Sequence, residues 1–262
     1  MSFTRLHPGS EITTQVPWLL IEQAGGVKSV ETISIGPNLK IHRRLDGERW
    51  RKPVNGRRGF KTATFASAKN GGRMVMCESG GETPMFRLFE IYPPIKTFRE
   101  QRDIIELADD AGTLWAISDA TAEVSHRGDH DVVWFEGKYD KSLGNAARHR
   151  LRRIELAFER AGRRYVAIDE GWCRHPIVAE IVGFAFAAKL KFVSSAEKDR
   201  VIRLLNRGFS TVRDCAALLS GHECPEELIC ALMAQRHLEI DLQTRFSPDS
   251  VVTKPKRPFW MD

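Results

Sequence analysis

The chain has 262 residues, 42% of them hydrophobic and 28% charged, with a net charge of +6. Those proportions fit a soluble globular protein long enough for two domains and a sizeable core, and they exclude a disordered chain. No apolar run reaches membrane-spanning length and the opening Met1–Pro8 lacks the apolar stretch of a signal peptide, so the expected location is the cytoplasm, with no membrane partner.

The positive charge is concentrated near the start. Residues 40–61 hold nine basic side chains, Lys40, Arg43, Arg44, Arg49, Arg51, Lys52, Arg57, Arg58 and Lys61, against Asp46 and Glu48. That net +7 leaves about −1 for everything else. Such a segment can neutralise several nucleic-acid phosphates, with Trp50 and Phe60 placed to stack or anchor; a solvated basic loop is the plainer reading. Ser79-Gly80-Gly81-Glu82 then opens a helix whose apolar stripe runs through Met85 or Phe86, Phe89 and Tyr92 until Pro93-Pro94 stops it. Glu82 begins that stripe. Pointing inward, it needs a cationic or metal partner; alternatively it completes a capping box by reaching back to the Ser79 amide.

Residues 112–124 read as one extended segment, Arg127-Gly128-Asp129-His130 as a turn, and Asp131–Lys138 as a strand folding back antiparallel. Alternation puts Glu136 and Lys138 on one face of that strand, and the hairpin can bring Asp119 beside Glu136. Two carboxylates and an ammonium on one surface suit Mg²⁺- or Mn²⁺-assisted phosphodiester hydrolysis. A hard cation prefers carboxylate oxygens, and the lysine can orient water or offset developing charge. The bland alternative is a same-face Glu-x-Lys ion pair. Further on, Ala147, Leu151, Ile154, Phe158 and Ala161 mark an amphipathic helix that Gly162 ends, and Arg163–Asp169 follows as a strand. A strand, helix, strand crossover between parallel neighbours is expected. Its basic strip, from Arg148 to Arg164, is partly balanced by Glu155 and Glu159 and ranks below the 40–61 segment.

The last third reads as mostly helical. Pro176–Lys191 is strongly apolar, and Ser194-Ser195-Ala196-Glu197 starts another helix. Thr211–Leu219, Pro225–Gln235 and His237–Leu242 then follow as helix, helix, strand, in the manner of a winged helix. The second of these helices carries Glu226 and Glu227 near its start and little positive charge until Arg236, which favours packing or protein docking over base reading. The five cysteines, Cys77, Cys173, Cys215, Cys224 and Cys230, lack C-x-x-C spacing and are expected as reduced thiols, buried in helices rather than zinc-bound.

Several stretches together resemble the TnsA-type transposon end-cleaving endonucleases, which carry a PD-(D/E)xK core: Ala66–Lys69, Arg73–Ser79, Glu82 opening the helix that reaches Tyr92-Pro93, Ile95–Gln101, Asp119, Glu136-Gly137-Lys138, and Gly162–Glu170. The resemblance covers residues 55–170, more loosely to 250. Ser118 and Ala120 flank the aspartate where the family has proline and a bulky apolar residue, Gly137 replaces an apolar residue, and Arg102 stands where proline follows the glutamine. The resemblance implies catalytic positions at Glu82, Asp119 and Lys138, metal ligation by Asp119, Glu136 and Glu82, and cleavage of the 5′ strand at transposon ends. It also implies a DDE-type transposase and a target-selecting ATPase as partners in a bacterial, nucleoid-associated setting. Arg43, Arg44, Arg51, Lys52, Arg57, Arg58 and Lys61 are the expected contacts to double-stranded DNA. Two other readings stand beside it: a restriction or repair nuclease of the same superfamily, and a non-catalytic DNA-binding assembly factor. An oligomer is compatible with any of them.

The expected fold class is α/β, a restriction-endonuclease-like mixed sheet flanked by helices and followed by a mostly helical winged-helix-like domain. The expected division is a basic N-terminal extension over 1–60, the nuclease core over 61–172, the helical domain over 173–253 and a flexible tail over 254–262.

Overall fold

The computed structural model describes residues 30–51, 63–78, 80–126, 129–138, 144–256 and 258, which form a mixed α/β arrangement. A first sheet is antiparallel throughout, in the order β1 (Val30–Gly36), β2 (Leu39–Arg44), β6 (Asp103–Asp109), β7 (Gly112–Ile117). A second runs β10 (Arg164–Asp169), β9 (Asp129–Lys138), β8 (Ala120–His126), β5 (Ile95–Glu100). Within it β8 pairs antiparallel with β5 and β9, and β9 pairs parallel with β10 through the intervening helix α2 (Asn145–Arg160), as the periodicity predicts. The short β3 (Ala63–Ala66) and β4 (Met74–Cys77) form a separate hairpin preceding helix α1 (Glu82–Ile91).

Residues 112–124 are not one extended segment. The chain bends at Ser118-Asp119, so that β7 belongs to the first sheet and β8 to the second. The segment from β5 to β6 makes the opposite passage at Gln101-Arg102. Strands that switch sheets turn corners in this way, and here the two corners are tied together: the Gln101 amide donates to the Asp119 carbonyl (3.0 Å) and the Ser118 amide to the Asp103 carbonyl (3.2 Å). Gln101 has φ +46°, a left-handed conformation that is uncommon for a residue with a side chain.

Beside these corners lies Asp103, whose side chain is fully buried. Its carboxylate accepts two bonds from the Arg43 guanidinium (2.8 and 2.9 Å), one from the Thr121 hydroxyl (3.0 Å) and one from the Trp134 indole (2.8 Å). Arg43 lies on β2 of the first sheet, Thr121 and Trp134 on the second. A desolvated carboxylate is tolerable only when paired and hydrogen-bonded, and here the pairing joins the two sheets.

Alternation along β9 serves two cores. Val133 and Phe135 face a cluster built with Met85, Phe86, Leu88 and Phe89 of α1, while Trp134 faces one built with Leu151, Ile154 and Phe158 of α2 and Ile41 and Ile105 of the first sheet. Residues 30–44, expected in an N-terminal extension, therefore supply two strands of the first sheet and part of the second core. The apolar cluster around α1 continues without interruption into α4 (Pro176–Ala188), α5 (Ser195–Leu205), α6 (Val212–Ala217) and α7 (Pro225–Ala234). The short α3 (Glu170–Cys173) precedes them, and a small sheet in the order β11 (Ser210–Thr211), β13 (Val251–Thr253), β12 (Glu239–Ile240) completes this part. Ser194 and Glu197 form a capping box at the start of α5, where the sequence places a helix start. In α7 every residue from Leu228 to Ala234 is buried, and Arg236, just beyond it, donates to the Pro93 carbonyl (2.8 Å) and the Ser125 hydroxyl (2.6 Å). The start of the helix, with Glu226 and Glu227, stays exposed. Of the expected tail, the Lys256 amide bonds Glu239 (2.9 Å) and Pro258 is buried; residues 257 and 259–262 lie outside the described residues.

Replacing Asp103 with alanine strands Arg43, Thr121 and the Trp134 indole at once. Breaking a buried ion pair by removing one partner costs about 3–5 kcal/mol, so urea unfolding of Asp103→Ala is expected to show a loss of that order. A loss below about 1 kcal/mol contradicts the joining role.

Candidate active site

The β8–β9 register pairs Ala120 with Phe135, so Asp119, one residue earlier, falls beside Glu136. Glu136 and Lys138 share a face of β9. The outcome is a compact triad: Lys138 Nζ lies 2.7 Å from Glu136 Oε1 and 3.8 Å from Asp119 Oδ2, the carboxylates are buried, and the lysine is about one-third exposed. These three line a cleft of about 410 Å³ together with Arg51, Arg150, Ile117, Leu151 and the small Ala146 and Ala147 at the start of α2.

Two further groups hold the acids. The Gly137 amide donates to Asp119 Oδ2 (2.9 Å), and the buried Tyr165 hydroxyl, from β10, donates to Glu136 Oε2 (3.1 Å). Gly137 sits close to two neighbours: a Cβ there would come 3.3 Å from the Met85 sulfur of α1 and 3.8 Å from Asp119 Oδ2. The Met85 side chain then has to give by a few tenths of an ångström, while the approach to Asp119 is an ordinary contact.

Burial and the neighbouring Glu136 charge push the Asp119 carboxyl up to about 8, against the opposing pull of Lys138, with Glu82 adding to the rise. Burial works against the charge on Lys138, but the Glu136 and Asp119 carboxylates outweigh it and hold its pKa above the ordinary lysine value. Glu82 lies on α1 and is buried; burial raises its pKa, while the Glu78 amide, bonded to Glu82 Oε2 at 2.7 Å, lowers it. The residue preceding α1 is Gly81, which makes no side-chain cap bond, and the Glu78 amide bonds Glu82; Ser79, the other member of the expected box, lies outside the described residues.

Among the described residues, no three His, Cys, Asp or Glu side chains converge closely enough to hold a metal. The donor set at the cleft is the pair Asp119 and Glu136. As an all-oxygen pair it fits a hard divalent cation that keeps several of its waters; Glu82 acts on Asp119 through its charge. Of the cysteines, Cys77, Cys173, Cys215 and Cys230 are buried, and burial pushes their thiols up to about 11 or 12.

The basic segment is mostly turned inward where it is described. Arg43 pairs with Asp103, Arg44 with Asp46 (2.5 Å) and the Arg49 carbonyl (2.9 Å), Arg49 with Glu78 (2.7 Å), and Lys40 with Glu106 (3.5 Å). Arg43 and Arg44 are thus engaged by acids within the protein. Arg51 alone of the described cations in that segment faces the cleft; Lys52, Arg57, Arg58 and Lys61 lie outside the described residues. Trp50 is fully buried as an anchor, its amide donating to the Gln101 carbonyl (2.9 Å). Sequence reasoning missed Tyr165 and Arg150 as members of the site. The strand, helix, strand pattern held the signal for both, since parallel pairing brings Tyr165 level with Trp134 and the start of α2 above the end of β9.

Compared with known proteins, the chain matches no protein-family model and no curated sequence.

A carboxyl raised on folding contributes stability fully below its unfolded pKa near 4 and loses it as pH rises towards its folded value, here about 8. Without divalent cation, Asp119→Asn keeps an acceptor for Gly137 and removes the charge. Its melting temperature relative to the parent is expected to rise steadily from pH 5 to pH 8; thermal melts with parallel pH curves for the two proteins contradict the strain assigned to Asp119.

Proposed function

We propose that this protein is a metal-dependent DNA endonuclease, with a restriction-endonuclease-like core and a winged-helix-like helical part. The reading is carried by one observation: a lysine shared between two buried carboxylates, at the end of a mixed sheet and open to a cleft with two arginines. An ordinary surface Glu-x-Lys pair contributes at most about 1 kcal/mol and needs no buried second acid. Here a second acid is held beside the first at the expense of a strongly raised pKa, and such perturbation concentrates at functional sites. The motif resemblance to TnsA-type enzymes supports cutting of the 5′ strand at transposon ends, in company with a DDE-type transposase and a target-selecting ATPase inside a bacterial cell.

Asp119 and Glu136 would hold a Mg²⁺ or Mn²⁺ ion, which when bound lowers the pKa of a water and stabilises charge on the phosphate. Tyr165 fixes the rotamer of Glu136 and the Gly137 amide that of Asp119, so neither carboxylate must be reoriented before the reaction. Lys138 would orient the attacking water or offset the charge developing on the phosphate oxygens. Being one-third exposed, it can reach them. The arginines at the rim supply the remaining positive charge for the phosphodiester.

A second reading, a non-catalytic DNA-binding factor, is favoured by the convergence of only two carboxylates among the described residues. Activity separates the two. With Mg²⁺ or Mn²⁺, and the transposase and ATPase where they are required, Lys138→Ala and Asp119→Ala are each expected to lower strand cleavage by about 10²-fold or more while leaving the circular dichroism spectrum unchanged. Cleavage that survives both substitutions removes the site from consideration. Calorimetry with Mn²⁺ is expected to show weaker binding for Glu136→Ala, which deletes a ligand oxygen. Tyr165→Phe keeps both carboxylates and is expected to reduce cleavage by a smaller factor, with most of the loss in the catalytic rate rather than in DNA affinity.

A further inference from the structure

We infer that Arg51 and Arg150 form a clamp for one backbone phosphodiester of double-stranded DNA, in the cleft they line together with Asp119 and Glu136. The inference rests on the nuclease reading and adds to it the residues that seat the phosphate about to be cut.

The charge balance points to an anion. Lys138 is engaged by both carboxylates, so its charge is already offset before any substrate enters the cleft. Among the described residues Arg51 has no acid paired with it, yet it lines the cleft and its charge is felt at Glu82. Arg150, exposed on the second turn of α2, makes one long bond to the Trp115 carbonyl (3.4 Å), and its charge is felt at Lys138 and at Tyr165. Other arginines of this region are differently placed: Arg43, Arg44, Arg49 and Arg153 each pair with an acid. Two guanidiniums in one cleft, without carboxylate partners among the described residues, are groups suited to bidentate contact with phosphate oxygens.

Arg51 is also held in place. Its neighbour Trp50 is fully buried and donates to the Gln101 carbonyl, and the Gln101 amide donates to the Asp119 carbonyl. Three residues in succession thus tie the backbone beside Arg51 to the backbone of Asp119. Holding the clamp and the acids at a fixed separation reduces the entropy cost of seating a phosphate in the cleft. Arg150 comes from α2, whose Ala146 and Ala147 leave room in the cleft.

The test uses the full chain in chelator, so that binding is read without metal or cleavage. Affinity for a double-stranded oligonucleotide is measured over a range of salt for the parent, Arg51→Gln, Arg150→Gln, the double variant, and Arg213→Gln as a control outside the cleft. Each single variant is expected to reduce the log-log salt slope by about 0.9 or less, the amount that one fewer neutralised phosphate produces, and the double variant by up to about twice that, with the control unchanged. At matched ionic strength, inorganic phosphate competing with the duplex for the parent no better than chloride supports a backbone phosphodiester as the ligand; strong competition points to a free-phosphate site and overturns that choice. Slopes unchanged in the double variant overturn the clamp even where the parent cleaves DNA. Reduced slopes in a protein that cleaves under no condition sink the nuclease reading and leave the clamp standing. Arg51→Lys and Arg150→Lys restore the charge and are expected to recover the slope.

Discussion

The buried carboxylate of Asp103 is the constraint on which the architecture turns. It sits where two strand pairs pass from one sheet to the other, and it satisfies donors from both sheets: Arg43 from the first, Thr121 and Trp134 from the second. A charge removed from water in this way is tolerated because it is paired with a guanidinium and both of its oxygens accept hydrogen bonds. The geometry that satisfies it also fixes the angle between the sheets. Asp119 is the residue at the corner, one step before β8, and the backbone bond from Gln101 holds that corner shut. The candidate site is therefore placed by a second acid that takes no part in it.

Opposite treatment of two carboxylates a few ångströms from the same corner follows from their partners. Asp103 receives a bidentate guanidinium and two neutral donors. Asp119 receives one backbone amide and a lysine at 3.8 Å, next to the like charge of Glu136. The first arrangement is complete without any ligand. The second is short of positive charge, and that shortage gives a divalent cation, or a proton, a favourable place to go. One acid is fully paired within the fold and the other is not.

The same accounting separates the basic residues. Most of the described cations between 40 and 51 lie close to acids that the fold brings near, so they act in folding and their charge is largely cancelled locally. Only those left facing the cleft retain a field available to a polyanion. In the helical part, burial of α7 and the use of Arg236 to grip Pro93 and Ser125 fasten the helices to the sheet, and the large exposed apolar groups Leu190, Phe192 and Phe209 lie on the connections flanking α5 instead.

Local patterns in the sequence determined a good deal. Helical spacing marked α1, α2 and the start of α5, and period-two alternation placed Glu136 and Lys138 together, because these depend on neighbours within a few residues. The β8–β9 hairpin was legible for the same reason, and with it the approach of Asp119 to Glu136. Tertiary structure alone decided the rest. The bend at Ser118 that divides residues 112–124 between two sheets depends on bonds to Gln101 and Asp103, distant in the sequence and without local signature. Which arginines are neutralised is likewise a matter of partners far along the chain, as with Arg43 and Asp103, 60 residues apart. A count of charges along the chain gives their sum; only folding determines which of them remain to meet a ligand, since the strength of a charge depends on what lies within a few ångströms of it.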